Sequence, residues 1–300
     1  MIRPFFSIVI PVYNRGELLS VRLKEIFLQT YTSFEVIVVD DGSKEDIESI
    51  LNKSLPNVSG LQILHQINSE RGVARNNGFR NAKGQYVVFF DSDDIMHANH
   101  LQVLYDNIQK LNLPDFIATY FDFVDANNRH YPSDIIKLKE GRYDYRLFLN
   151  GNPLACNICV RKDNPKLQLF EEDRKFAIKE DWMFMISNMK HSSLYIVPEI
   201  TISMYDHQDR SMRSDNKIII QKTHFATDWI ITNIVLSESE LRQLHAHENY
   251  FCGIHWYLES NRIDAMRSAF RAIQFGGFQL KYFSLFLKSL IGRKLISSVK

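Results

Sequence analysis

Little in this chain would staple it, anchor it or polarise it. Its 300 residues include three cysteines, too few for a disulfide framework. Cys156 and Cys159 form a C-x-x-C, but no second pair completes a zinc site, so both read as small core residues. No run approaches the roughly 20 continuous apolar residues of a spanning helix. Met1-Ile2-Arg3-Pro4 leads straight into an apolar run without the pattern of a signal peptide, and a cytoplasmic protein is expected. Neither charge sign dominates: 36 Lys and Arg face 35 Asp and Glu, a net charge of +1. That balance gives no general electrostatic case for a nucleic-acid partner. One local absence stands out. From Ala265 to Lys300 there are seven Lys or Arg and no Asp or Glu.

What is present is an ordinary globular composition, 45% hydrophobic and 24% charged, in a chain long enough to bury a sizeable core. Phe6 to Val12, Phe34 to Val39, Leu61 to Leu64 and Tyr86 to Phe90 are short apolar runs that read as buried strands. Helical spacing fills the intervals: Leu19, Leu23, Ile26 and Phe27 share one face, Glu45 to Leu51 follows the turn Asp40-Asp41-Gly42-Ser43, and Gly72 to Ala82 ends at Lys83-Gly84. Strand and helix alternating with short connections predict a parallel, doubly wound sheet over the first hundred residues. After Phe116 to Val124, Asp125-Ala126-Asn127-Asn128 reads as a hairpin turn and irregular segments follow. Past Ser214 the pattern is helical, with a capping box at Ser237-Glu238-Ser239-Glu240. Two parts are expected, 1–213 and 214–300.

The chemistry concentrates at Asp91-Ser92-Asp93-Asp94, three carboxylates in four residues directly after the fourth strand. Open α/β sheets bind ligands at such carboxyl ends. Crowded carboxylates repel unless a cation joins them, and hard oxygen ligands suit Mg²⁺ or Mn²⁺. A solvated acidic turn is the other reading of these residues alone.

Upstream motifs shift that balance. Ser7-Ile8-Val9-Ile10-Pro11-Val12-Tyr13-Asn14, then Gln29-Thr30-Tyr31, then Val36 to Ser43, then Gly72-Val73-Ala74-Arg75-Asn76-Asn77-Gly78 and finally Asp91-Ser92-Asp93-Asp94 occur in order. The series resembles the family 2 glycosyltransferases, the inverting nucleotide-sugar enzymes of bacterial surface-polysaccharide synthesis. It does so strongly over residues 5 to 100 and more weakly to about 213. The resemblance implies the GT-A fold of nucleotide-diphospho-sugar transferases, a mostly parallel Rossmann-like sheet with helices on both faces, here with a C-terminal helical extension. It implies a UDP-sugar donor, Mn²⁺ or Mg²⁺, and a glycan or lipid-linked acceptor. Pro11 and Tyr13 would line the base pocket, with Asp41 accepting a base N–H. Arg75, with Arg71 as its rival, would pair with a diphosphate oxygen, Asp91 would contact the ribose, and Asp93 would ligate the metal. Lys179-Glu180-Asp181-Trp182 fits the family's late acidic pair. It makes Asp181 the general base, opposite the diphosphate, where its other reading is a helix cap. His207, in Tyr205 to Ser211, is a candidate second metal ligand, with Arg210 and Ser211 near the diphosphate. The chain departs from the family at Leu169-Phe170-Glu171-Glu172, where many members carry a Gly-Gly-Phe-Asp-Glu stretch.

Two rival functions share parts of this pattern. A sugar nucleotidyltransferase also uses carboxylates and Mg²⁺ on an α/β sheet, but Ile10 to Gly16 lacks the repeated glycines of a triphosphate loop. A non-catalytic nucleotide-sugar-binding subunit would not need all the expected acids. Residues 275–300 interleave Phe278, Leu280, Tyr282, Phe283, Leu285, Phe286, Leu287 and Leu290 with Lys281, Lys288, Arg293 and Lys294. Such a segment either lies on an anionic bilayer, at the inner face of the plasma membrane, or packs its apolar side on the protein.

Overall fold

The computed structural model describes residues 3–56, 58–206 and 215–292. The first hundred residues alternate strand and helix: β1 (Phe6–Val12), α1 (Gly16–Ile26), β2 (Phe34–Asp40), α2 (Ile47–Ser54), β3 (Leu61–His65), α3 (Glu70–Asn81) and β4 (Tyr86–Phe89). There follow β5 (Ile95–Met96), α4 (His100–Lys110), β6 (Phe116–Val124), β7 (His130–Pro132), β8 (Gly141–Tyr143), β9 (Ile158–Arg161), α5 (Glu180–Met189) and β10 (Leu194–Tyr205). Four helices end the described chain, α6 (Asn216–Asn233), α7 (Glu238–Leu258), α8 (Arg262–Gly276) and α9 (Leu280–Ile291).

All the described strands belong to one sheet, in the order β3-β2-β1-β4-β9-β6-β10-β5, with β7 on β6 and β8 on β10. The apolar runs Ser7–Ile10 and Val36–Val39 are buried along their length, as strands covered on both faces must be. Accordingly β3, β2, β1 and β4 run parallel. Beyond β4 the sheet is mixed: β9 is antiparallel to β4 and β6, and β10 is parallel to β6. Helix α3 lies close on this layer, because a Cβ at Gly78 would collide with Val9 of β1. β2 and β3 leave β1 on one side and β4 leaves it on the other. The carboxyl ends of β1 and β4 therefore flank a topological switch point, where open sheets hold ligands.

The described residues form two compact units. One comprises residues 3–144, 153–174 and 188–206, with every described strand and α1 to α4. In it His100 is fully buried, its Nδ1 2.7 Å from Thr201 Oγ1, and burial pushes its pKa down to about 3, so the ring is neutral. Cys156 and Cys159 are both buried and unbridged.

The other unit comprises residues 145–152, 175–187 and 215–292. The sequence pattern drew a single division at 213/214, whereas contacts assign two short segments from the middle of the chain to the helical unit. Their partners explain why. Tyr145 donates to Glu240 Oε1 at 2.5 Å, Trp182 Nε1 donates to the Phe148 carbonyl at 2.7 Å, and Phe176 meets Trp229 edge-on. Glu240 is also the N3 acid of the Ser237 capping box. The Tyr145 bond, then the Ser237 backbone, hold its pKa down at about 2.

Helix α9 covers residues 280–291 of the basic, apolar segment; Arg293 and Lys294 lie outside the described residues. The Tyr282, Leu285 and Ser289 face of the helix is buried, with Tyr282 in a cluster with Ala246 and Ala272. At 100° per residue the opposite stripe carries Leu280, Leu287 and Ile291, all exposed. The helix thus packs on its own unit and still presents an apolar outer face. Among the described residues no helix is long and apolar enough to cross a membrane.

Candidate functional site

β4 ends at Phe89, and Asp91, Asp93 and Asp94 project from the turn that follows. One carboxylate oxygen from each lies within 4.8 Å of the others. Three anionic oxygens at that spacing fit a hard divalent cation such as Mg²⁺ or Mn²⁺. The protein balances them with arginine. Arg15 Nη1 is 2.5 Å from Asp93 Oδ2, and Arg75 Nη2 is 2.7 Å from Asp91 Oδ1. Arg22 Nε donates to the Asp93 carbonyl at 3.3 Å, and the Tyr205 N–H donates to Asp94 Oδ1 at 3.1 Å. The turn is therefore held from α1, from α3 and from the end of β10.

Arg75, expected on a diphosphate oxygen, is 1% exposed and stacks over the Phe170 ring at 5.4 Å. Its guanidinium is directed at Asp91. Arg15, which lies between Tyr13 and α1, had no role in the sequence reading. No local signal marks it, because its partner Asp93 lies 78 residues on.

Asp41 follows β2 and is buried. Its Oδ1 accepts from Gln66 Nε2 and the Ser69 N–H, both at 2.8 Å. Its Oδ2 accepts from the Glu70 N–H at 3.0 Å and from Asn68 Nδ2 at 3.3 Å. A carboxylate offers about four lone-pair sites, so these bonds saturate it. They also hold Glu70 at φ +75°, a left-handed conformation that costs a non-glycine residue about 1–3 kcal/mol. Gly42, at φ +74°, brings the turn so near that a Cβ would sit 2.7 Å from the Asn68 nitrogen. Tyr13 is 44% exposed at the end of β1 and Pro11 is half-buried, so the Tyr13 ring is open to stacking.

The segment that replaces the family's glycine-rich stretch is anchored to α3. Asn76 is buried and makes a two-way clamp: its Oδ1 accepts the Phe170 N–H at 3.0 Å and its Nδ2 donates to the Phe170 carbonyl at 2.8 Å. Glu172 accepts from Asn76 and from Arg80, which hold its carboxyl below the usual range.

Asp181 belongs to the helical unit, at the second residue of α5. Asn152 Nδ2 donates to its Oδ2 at 3.0 Å, and its Oδ1 accepts the Trp182 N–H at 2.8 Å. Beside it Lys179 is buried with Nζ 3.9 Å above the Phe251 ring. Burial brings the Lys179 pKa down to about 8. Ile178, just before, has φ +79°, an outlier for a β-branched residue of the kind that clusters at functional positions. His207, Arg210 and Ser211 lie outside the described residues.

The family model Glycosyl transferase family 2 matches residues 7–166. Glycosyltransferase GlyG of Streptococcus pneumoniae is 33% identical over 126 residues, 42% of this chain and 42% of GlyG. Uncharacterized glycosyltransferase RT0329 of Rickettsia typhi is 27% identical over 210 residues, 68% of this chain and 64% of that protein. The chain thus matches less than half the length of GlyG, and 20% of Rickettsia conorii RC0461. Among solved structures, S. aureus TarS 1–349 in complex with UDP-GlcNAc aligns with TM-score 0.68 at 18% identity, covering 95% of this chain and 88% of TarS 1–349. At that identity the likeness is one of fold, the GT-A sheet with C-terminal helices.

Proposed function

The chain belongs to glycosyl transferase family 2, and from that premise we propose that it moves a sugar, with inversion, from a UDP-sugar to a glycan or lipid-linked acceptor. The observation that carries the donor half of this reading is the Asp91, Asp93 and Asp94 cluster at the switch point. A UDP-GlcNAc complex of the similarly folded TarS supports a donor of that class. Asp93, with its neighbours, would hold Mn²⁺ or Mg²⁺, and a cation there would offset the charge developing on the diphosphate. Tyr13 stacks on the base beside Pro11. Asp41 accepts a base N–H in exchange for the Gln66 amide, which with Asn68 is one of its two side-chain donors. Arg75 holds Asp91 toward the ribose. Asp181 accepts the acceptor hydroxyl's proton as that oxygen attacks the anomeric carbon and UDP leaves.

The donor half is tested by calorimetry. Wild type should bind UDP in a Mn²⁺-dependent way, and Asp93→Ala should lose the Mn²⁺ enhancement of that binding. Unchanged Mn²⁺-dependent binding by Asp93→Ala would sink the assignment.

The exposed stripe of α9 supports a second element of the reading, a contact with an anionic bilayer. Leu280, Leu287 and Ile291 are interleaved in sequence with Lys281 and Lys288, with no acid nearby, and Phe278 is 75% exposed just before the helix. Each lysine near such a surface is worth about 1 kcal/mol. The protein should co-sediment with phosphatidylglycerol vesicles at low salt and release at high salt. The triple variant Leu280→Ser, Leu287→Ser, Ile291→Ser should not bind. Equal sedimentation of both proteins removes the membrane contact.

A further inference from the structure

We infer that Arg15 is an exchangeable counter-ion of the metal-binding carboxylate: its guanidinium would hold Asp93 until a divalent cation joins the same carboxylate, and would then turn to the diphosphate of the nucleotide. The inference rests on the metal-dependent donor binding proposed above and adds a residue and an order of events to it. Arg15 Nη1 lies 2.5 Å from Asp93 Oδ2, and Asp93 is one of the three acids whose oxygens converge within 4.8 Å. A guanidinium at that distance takes one of the lone-pair sites of the carboxylate, and its positive charge repels a cation on the same group. Metal and Arg15 therefore compete for Asp93.

The surroundings make the exchange a side-chain movement. The backbone around Arg15 is pinned on both sides: the Asn14 N–H donates to Ser43 Oγ at 2.9 Å, Asn14 Oδ1 accepts the Lys44 N–H at 2.7 Å, and the Gly16 N–H donates to Glu45 Oε1 at 2.9 Å. The side chain itself is 32% exposed, so it can swing through solvent without opening the core. Neither neighbouring arginine suits this role. Arg75 is buried over Phe170. Arg22 holds the Asp93 backbone carbonyl, a bond that persists whatever the carboxylate binds. Once displaced, the planar fork of Arg15 matches a phosphate edge. Competition before the exchange and a new contact after it make metal and nucleotide bind cooperatively.

The test reads two affinities whose shifts have opposite sign. Mn²⁺ binding without nucleotide is measured by electron paramagnetic resonance, and UDP binding at saturating Mn²⁺ by calorimetry, for wild type, Arg15→Gln and Arg15→Lys. Arg15→Gln should bind Mn²⁺ alone about fivefold more tightly, the scale of one partly exposed charged hydrogen bond, and should bind UDP about fivefold more weakly. Arg15→Lys should fall between. A residue that only shapes the turn would move both affinities in the same direction, and that outcome, or unchanged Mn²⁺ affinity, overturns the exchange while leaving the donor site standing. If wild type binds neither Mn²⁺ nor UDP, the donor reading and the exchange fall together.

Discussion

Asp181→Asn should bind UDP within about twofold of wild type and transfer sugar about 10² to 10⁴ times more slowly, the usual worth of a positioned general base. The structure makes the substitution a clean one. The Asn152 amide and the Trp182 N–H already orient the Asp181 carboxylate. An amide at 181 can keep the Trp182 bond through its oxygen, and Asn152 can flip its own amide to accept from the new NH₂. Shape and local bonding survive, while the capacity to take a proton is lost. The competing role is electrostatic. Asp181 and Glu180 are the acids in the first turn of α5, where a carboxylate is worth about 0.3–1 kcal/mol against the helix dipole. A residue with that role alone would lower the melting temperature slightly and leave the rate intact. UDP release with cell-envelope glycan fractions as acceptor separates the two. Retention of more than about a tenth of wild-type turnover assigns Asp181 to the helix and places the base elsewhere.

The legible part of this chain is the part in which burial leaves a local trace. The runs Ser7–Ile10 and Val36–Val39 are buried on both faces, so they appear as unbroken apolar stretches, and the parallel half of the sheet with its switch point could be read from them. The acids after β4 were legible for a related reason: three carboxylates in four residues are costly without a counter-charge. The counter-charges were not. Arg15 and Asp93 are 78 residues apart, and nothing near Arg15 marks it as facing an acid. The same holds for Asp41. It reads as a lone strand-end carboxylate, but its donors Gln66, Asn68, Ser69 and Glu70 arrive from the far end of β3, 25 to 29 residues on. Asn76 sits inside a motif that the sequence displays plainly, while its partner Phe170 lies 94 residues away. The interleaving of the two units has the same cause. Tyr145–Asn152 and Lys175–Ser187 carry no helical-unit signature of their own, and only their contacts with α6 and α7 assign them.

The ion pair of Arg75 and Asp91 should be strongly asymmetric. Arg75 is 1% exposed and the Asp91 side chain 28%, so loss of either partner strands the other in a different medium. Asp91→Ala leaves a buried guanidinium without this carboxylate, and breaking a buried pair from one side costs about 3–5 kcal/mol. Arg75→Met removes the buried charge instead. The thioether can occupy the space over the Phe170 ring with favourable sulfur contact, and Asp91 keeps its access to water. That variant should lose about 1 kcal/mol, within the ordinary range for single substitutions. The double variant should resemble Arg75→Met to the extent that the Asp91 carboxylate acts through this ion pair. Urea unfolding of the four proteins measures this cycle. The result also decides what Arg75 does for function. A large coupling means that the guanidinium is committed to Asp91 and reaches the donor only through it, so that Arg75→Met should weaken UDP binding to the same extent as Asp91→Ala. If Asp91→Ala is as stable as wild type, the pair is loose, and Arg75 is available to grip a diphosphate oxygen directly.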